Sequence, residues 1–349
     1  MSCSDDEILE SECKELSDLI RMTGWEEALM FLGCEIEYGD GVILLRFTAK
    51  IYQVRDKYEE HILMYNPKRR KRVTWLPSNA LDSDDCFTED KLAALDDDMT
   101  TDYRGIVGAL NFISLLRPDA KFPQHVVAGR MQKPREWDMF CIIWYLEYMV
   151  GTADYPLVLG GPEVNINARS DASFAIMSEK RSIKSHFVRT GPLSGAIESS
   201  VDTIRAAVDS IWDAEVMATS DAINTLLYCE NVGNELEYPM ENEHNVDIDS
   251  ASGIDWFESS KISQRSRHVQ IKYYKCKHLV QEGAVNICFV EGEHNEADIL
   301  TKVLAAARLR KLTRMILGHV LVSGLGYEGV LEDESQHNPG MSDSDVRGV

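Results

Sequence analysis

Four acidic residues stand where a folded sheet could gather them: Asp171, Glu215, Asp249 and Asp298. Asp171 ends a strand-like run, Glu215 lies in a long helical stretch, Asp249 ends another strand-like run, and Asp298 opens the last helical stretch. Clustered carboxylates suit hard divalent cations. Two Mg²⁺ ions about 3.5–4 Å apart, held by such a set, can activate water and neutralise the leaving oxygen in phosphodiester hydrolysis. Acids at strand ends and helix N-termini also act simply as caps. The pattern alone leaves both readings open. His294, four residues before Asp298, is a candidate proton shuttle or aid to product release, or else an ordinary surface histidine.

The elements that must position these acids can be read from periodicity. Three strand-like segments (163–169, 182–190 and 195–203) follow one another, and a long helix spans about 210–229. Trp212, Val216, Ile223 and Leu226 form its apolar stripe at i, i+4, i+11 and i+14. Glu215 neighbours that stripe, so it is expected to border the core without entering it. A strand at 245–249, a helix near 250–259, a basic helix over about 265–281, a strand at 285–290 and a helix over 296–317 complete the second half. Three strands, then helix, strand, helix, strand and helix, predict a mixed sheet flanked by helices. In the first half, an acidic helix at 5–22 precedes a hairpin with turn residues Tyr38-Gly39-Asp40-Gly41. Helices follow over 50–64, 102–116 and 135–150. Residues 78–100 read as a mobile acidic linker, and 331–349 as a disordered acidic tail.

Length and composition exclude several classes. The 349 residues suffice for two or three domains. A composition of 44% hydrophobic and 27% charged residues excludes collagen-like and wholly disordered chains. No apolar run approaches the roughly 20 residues of a membrane helix, and the acidic start does not read as a targeting peptide. The eight cysteines form no C-x-x-C pair, which suits an intracellular, reducing compartment, cytoplasm or nucleus, better than a disulfide or zinc framework. A net charge of −22 argues against a polyanionic partner. Three acid-free basic segments nevertheless interrupt this background: Lys68–Arg72, 261–278 and 302–314. In the second, Arg265, Arg267, Lys272, Lys275 and Lys277 flank Tyr273 and Tyr274, as in a phosphate-contacting stripe with aromatic support. A solvated basic helix face is the alternative.

From about 168 to 317 the chain resembles the ribonuclease H domain of copia-type long-terminal-repeat retrotransposons. SDASFA stands where the family has a D-A-D-W-like run. RSIKSHF (181–187) and GPLSGAI (191–197) are similar to its R-S-T-S-G-Y and G-x-P-I-S-W strands. SIWDAEVMA (210–218) resembles S-S-T-E-A-E-Y, IDSASGI (248–254) resembles C-D-N-x-S-A-I, and RHVQIKYY (267–274) resembles K-H-I-D-I-x-Y-H. ADILTK (297–302) matches the closing A-D-I-x-T-K letter for letter. The first half extends the resemblance through MFLGCEIEY (30–38), DYRGIVGALNFISLLRPD (102–119) and WYLEYMVGT (144–152).

What the resemblance implies is a ribonuclease H-like α+β or α/β fold with a mixed five-stranded sheet flanked by helices, over 160–320. A smaller, mostly helical reverse-transcriptase region with a β-hairpin (end of palm, thumb and connection) precedes it over 1–155, and an acidic tail follows over 321–349. The implied activity is hydrolysis of the RNA strand of an RNA–DNA hybrid. Asp171, Glu215, Asp249 and Asp298 would hold two Mg²⁺ ions, with Mn²⁺ as a substitute and without a small-molecule cofactor. A polymerase-competent Pol subunit acting in trans is a further expected partner; a membrane is not. The family's Y-V-D-D turn is absent, and Asp5 and Asp6 read as helix N-terminal charge, so no polymerase activity is expected from this chain alone. The family's lysine-rich W-x-S-K-K-Q strand is replaced by AIESSVDTI, which points to weakened substrate contact. A catalytically decayed remnant that binds nucleic acid or protein is the competing reading.

Overall fold

The computed structural model describes residues 11, 13–14, 28–162, 165–176, 181–205, 210–238, 241–259 and 271–322. The expected helix at 5–22, Asp5, Asp6 and the tail from 323 onward lie outside the described residues, apart from positions 11, 13 and 14.

The chain enters through β1 (Met30–Phe31), β2 (Cys34–Gly39) and β3 (Val42–Arg46), an antiparallel ladder whose hairpin turns at Gly41 with φ +69°. A positive φ is costly for residues with a Cβ, which is why glycine stands there. The expected helix over 50–64 is two helices, α1 (Thr48–Lys57) and α2 (Glu59–Tyr65), broken at Tyr58. Tyr58 turns inward against Gly105, where any Cβ would overlap its hydroxyl.

Residues 78–100 are not a featureless linker. They hold single turns at Asp84–Cys86 and Glu89–Leu92, a bridge from Ala94 to Arg135, and the start of α3 (Asp97–Ile113). The side chain of Asp96 caps α3 by accepting from the Met99 amide at 2.8 Å, with Asp97 and Asp98 in the first turn. The acid run therefore complements a helix N-terminus, which periodicity does not show. Helices α4 (Lys121–Ala128) and α5 (Glu136–Gly151) follow. Strand β4 (Leu157–Gly160), absent from the sequence expectation, then returns to pair with β3 and completes a four-stranded sheet in the order β1-β2-β3-β4.

The second sheet is the expected mixed one. Strands β5 (Asn165–Ser173), β6 (Ile183–Thr190) and β7 (Ala196–Thr203) run antiparallel. After α6 (Ile211–Glu235), β8 (Glu241–Ile248) pairs parallel to β5. After α7 (Ala251–Glu258) and α8 (Ile271–Gln281), β9 (Asn286–Phe289) pairs parallel to β8. The order is β7-β6-β5-β8-β9. Three antiparallel strands extended by two parallel ones, with helices packed on the sheet, give the expected mixed five-stranded sheet flanked by helices.

The last expected helix is divided. A 3₁₀ turn, Glu296–Leu300, carries Asp298, and the α-helix proper, α9 (Ala306–Ile316), starts only after an irregular stretch; α10 (His319–Val322) closes the described chain. Buried Ala297, Ile299 and Leu300 draw the 3₁₀ turn down onto the larger core, while Leu309, Leu312 and Ile316 anchor α9 separately.

Two apolar cores sandwich the mixed sheet. One lies under α6, α7 and α8, with Val216, Ile223 and Leu226 from the stripe against Ile166, Val188 and Val246. The other joins Ile183, Phe187 and Ala196 of the sheet to helices α1–α5 and α9. Sheet and first-half helices thus share buried surface. At roughly 25 cal/mol per Å² of apolar area, a shared core holds the two regions together far more firmly than polar surface contacts would. Among the described residues, no helix is long and apolar enough to cross a membrane.

Candidate metal and active site

Strands β5 and β8 are parallel, so their carboxyl ends lie at one edge of the sheet. Asp171 stands near the end of β5 and Asp249 directly after β8. Helix α6 crosses above them. Its N-terminus is fixed by Ser210, whose hydroxyl accepts from the Asp213 amide. Ala214, Ala218 and Ala222 let α6 sit close, and the closeness buries Glu215 to 6% exposure. The expectation that Glu215 only borders the core is therefore corrected. The small residues widen the buried face beyond the stripe, and Glu215 falls inside it.

Asp171, Glu215 and Asp249 each offer a carboxylate oxygen within 4.8 Å of the others. Asp171 is 1% exposed, and Oε2 of Glu215 is buried without a hydrogen-bond partner. Burial pushes the Asp171 carboxyl up to about 6, against the pull of Lys302 and Thr301, with Asp298 and Asp249 adding to the rise. Burial, then the charges of Asp171 and Asp249, push Glu215 up to about 9. Buried carboxylates crowded together with an orphaned oxygen are in an unfavourable state that a divalent cation would relieve. The donor set, all carboxylate oxygen, fits a hard ion such as Mg²⁺.

Asp298 comes to the same edge in a different state. Its carboxylate accepts from Lys302 and, at 2.7 Å, from Nη2 of Arg308. Lys302 Nζ also lies 3.4 Å from Oδ2 and 3.5 Å from Oδ1 of Asp171, and the Thr301 hydroxyl donates to Asp171 Oδ2. Of the four acids, three form the mutual cluster and the fourth is neutralised by two cations.

The segment carrying Asp298 is anchored by buried polar side chains. Asn295 donates to the Ser170 carbonyl at 3.2 Å and accepts from the Ala297 amide at 3.1 Å. Glu296, 2% exposed, pairs with Arg189 at 2.8 Å and Arg169 at 3.2 Å. Arg169 continues to Asp247 at 3.0 Å and to the His294 carbonyl at 2.8 Å. This network ties the turn to β5, β6 and β8 and so fixes where Asp298 and Lys302 can stand.

Several sequence expectations fall differently. His294 lies on an exposed turn, its Nδ1 3.5 Å from Glu291, and its ring pairs there in solvent rather than with the acids. Lys277 is not a presented phosphate contact. It is 5% exposed, donates to the Trp256 carbonyl and stands 4.6 Å over the Trp256 ring. Its long stem follows the apolar side of α8, where Tyr273 and Cys276 are also buried. Lys275 is exposed; Lys272 belongs to α8, and Arg265 and Arg267 lie outside the described residues. Thr301, Lys302 and Arg308 were not singled out from sequence. Only the first two had a signal, as part of ADILTK; Arg308 reads as one more exposed residue on an amphipathic helix.

No family model matches the chain. It is 24% identical over 270 residues to the retrovirus-related Pol polyprotein from transposon TNT 1-94 of Nicotiana tabacum, covering 76% of this chain and 20% of that protein. It is also 24% identical over 220 residues to the one from transposon RE2 of Arabidopsis thaliana, covering 62% of this chain and 15% of the relative. The chain is similar in sequence to part of these transposon Pol polyproteins. It spans about a fifth or less of their length. The crystal structure of LC11-RNase H1 in complex with RNA/DNA hybrid aligns with a TM-score of 0.29 at 15% identity, over 39% of this chain and 94% of that one. The chain itself carries a mixed five-stranded sheet with an acidic cluster at the carboxyl ends of two parallel strands.

Proposed function

We propose that this chain, part of a copia-type Pol polyprotein, is a ribonuclease H-type endonuclease that cleaves the RNA strand of RNA–DNA hybrids with a divalent metal. Residues 160–320 are assigned to the nuclease, and 1–155 to the end of a reverse-transcriptase palm with thumb and connection. One observation carries the reading. Three acids, at 171, 215 and 249, converge from three separate elements into a cluster in which Asp171 and Glu215 are buried, Asp249 is half-buried, and one Glu215 oxygen has no partner.

Asp171, Glu215 and Asp249 would hold the metal, which when bound supplies a Lewis acid for the scissile phosphate and its attacking water. The residues themselves do three things. Glu215 and Asp171 present oxygens that sheet and helix have already aligned, so little ordering is left for the reaction to drive. The Asn295 and Glu296 anchors keep Asp298 at the rim. Lys302 and Arg308 place positive charge beside it, where a phosphate would otherwise meet only carboxylates. An RNA strand is the suited target because its 2′-hydroxyls distinguish it from DNA.

The test is cleavage of an end-labelled RNA–DNA hybrid by the full chain at low salt with Mg²⁺, and separately with Mn²⁺. Asp249→Asn serves as the control. Cleavage lost in the variant is expected. A folded protein inactive with both ions would overturn the nuclease and leave a decayed module.

A further inference from the structure

We propose that the outward face of α9 (Arg310, Lys311 and Arg314) and the loop after α2 (Lys68, Arg70 and Lys71) form one basic band that holds the phosphate backbone of the RNA–DNA hybrid. The first half of the chain would then grip the duplex that the acidic site cuts. The inference rests on the nuclease reading above and adds where its substrate lies.

Helix α9 turns Leu309, Leu312, Thr313 and Ile316 into the core. At about 3.6 residues per turn, Arg310, Lys311 and Arg314 fall on the opposite side, and all three are exposed. No acid stands between Asp298 and Glu328 to offset them. Arg308, on the flank of the same helix, reaches Asp298 at 2.7 Å, so the basic face starts at the rim of the acidic site. From Arg308 to Arg314 the helix rises about 9 Å. That length matches two to three phosphates of one strand, at about 3.4 Å each.

The loop after α2 is shaped before any ligand arrives. Asn66, 4% exposed, accepts from the Arg70 amide at 3.0 Å and donates to the Arg70 carbonyl at 2.9 Å and to Glu147 at 2.6 Å. Arg72 donates to Glu147 at 3.1 Å and lies 3.9 Å over the Trp144 ring, so it anchors the loop to α5. Arg69 is spent on Glu59. Lys68, Arg70 and Lys71 are left exposed on the fixed backbone. Among the described residues, the side chains of Lys68, Arg70, Arg310, Lys311 and Arg314 have no ion-pair partner. Unpaired cations gathered in a chain of net charge −22 suit a polyanion.

The two segments meet beside one pair of rings. Tyr155 and His319 pack edge to face with centroids 5.5 Å apart. Burial raises the Tyr155 hydroxyl and Lys71 pulls it back; burial lowers the His319 ring and Arg314 lowers it further. Lys71 thus stands on the Tyr155 side of the pair and Arg314 on the His319 side. Because α5 and α9 share one apolar core, the loop and the helix face keep a fixed relation. The committed occupant is the hybrid, since Arg308 joins the band to the acidic site and the charge is complementary.

The experiment measures binding apart from cutting. Full-length protein is titrated against a fluorescein-labelled RNA–DNA hybrid in EDTA, over about 50 to 200 mM salt, by fluorescence anisotropy. Circular dichroism confirms the fold of each variant. Arg310→Gln/Lys311→Gln/Arg314→Gln should bind at least about tenfold more weakly and lower the salt slope by about 2–3, and Lys68→Gln/Arg70→Gln should lower it by about 2. Lys57→Gln/Lys133→Gln removes as much charge from exposed positions outside the band and should change affinity less than about twofold. Either band variant binding like this control would overturn the proposal while leaving the nuclease standing. Wild type that fails to bind the hybrid would overturn it as well. Wild type that binds through the band yet cuts with neither Mg²⁺ nor Mn²⁺ would uphold the band and overturn the nuclease.

Discussion

Two buried groups of charges in this protein are built on opposite terms. In the first half, Arg117 and Asp119, 3% and 0% exposed, form a bidentate pair at 2.8 Å. The Arg117 guanidinium also donates to the carbonyl and hydroxyl of Thr152 at 2.9 Å, and Tyr148 donates to Asp119 at 3.3 Å. Burial opposes the Arg117 charge, but Asp119 more than restores it. In the second half, Glu215 has a buried oxygen with no partner, and both it and Asp171 resist ionisation. Equal burial therefore does not mean equal purpose. The satisfied pair locks the loop after α3 to the end of α5. The acidic cluster leaves one buried Glu215 oxygen without a partner, at a cost the polypeptide does not offset.

Breaking the satisfied pair should have the largest effect. Asp119→Ala leaves Arg117 buried and unpaired and is expected to destabilise the fold by about 3–5 kcal/mol, measured by urea unfolding. A loss below about 1 kcal/mol would mean that the pair is as dispensable as a surface one. Asp249→Asn in the open cluster should leave that midpoint almost unchanged. It should reduce hybrid cleavage on the order of 10²–10³-fold, about 3–4 kcal/mol in the barrier, as read by single-turnover kinetics.

Beside the satisfied pair lies one group that resembles the other region. His319, 1% exposed, contacts the Pro156 carbonyl through Nε2 at 2.7 Å, while its Nδ1 is buried without a partner. Burial lowers its pKa to about 4, against the pull of the Pro156 carbonyl and Asp119, and Arg117 and Arg314 add to the lowering. Because the folded value lies below the unfolded one of about 6.5, the unfolded chain binds the proton first. Stability should be complete above pH 6.5 and decline by up to about 3 kcal/mol as pH falls to 4. His319→Gln should flatten that part of the urea-midpoint profile; an unchanged slope would assign the acid sensitivity to other groups.

The smallest expected effect is a gain. The Glu215 carboxyl is raised in the folded state, so its contribution is favourable below about pH 4.5 and is lost as pH rises toward about 9. In EDTA at pH 7.5, Glu215→Gln should therefore raise stability by about 1–2 kcal/mol, while abolishing the thermal shift that Mg²⁺ gives to wild type. Equal Mg²⁺ shifts in both proteins would remove Glu215 from the metal site.

Much of this was legible in the sequence. The stripe at Val216, Ile223 and Leu226 marked α6, alternation marked β5 to β7, and ADILTK marked the segment that returns to the site. These signals are local, because burial of one face imposes its period on neighbouring residues. Other features carried no local trace. Strand β4 owes its existence to β3, more than 110 residues earlier. Lys277 has the composition of a solvated face, yet Trp256 from another helix covers it. Tyr58 breaks a helical pattern for the sake of Gly105.

By itself the sequence determined which residue types were available, in what order, and which elements would carry them: four acids, two of them at the ends of strands, beside a helix with one apolar face. Only the tertiary structure decided that these acids are not equivalent. Whether a carboxylate is left open or closed by a cation depends on what lies within about 4 Å. For Asp298 that neighbour is Arg308, brought round by the separate docking of α9. Sequence spacing fixes the contacts inside an element, whereas contacts between elements follow from how their buried faces pack, and the charge balance of this site is set by the second kind.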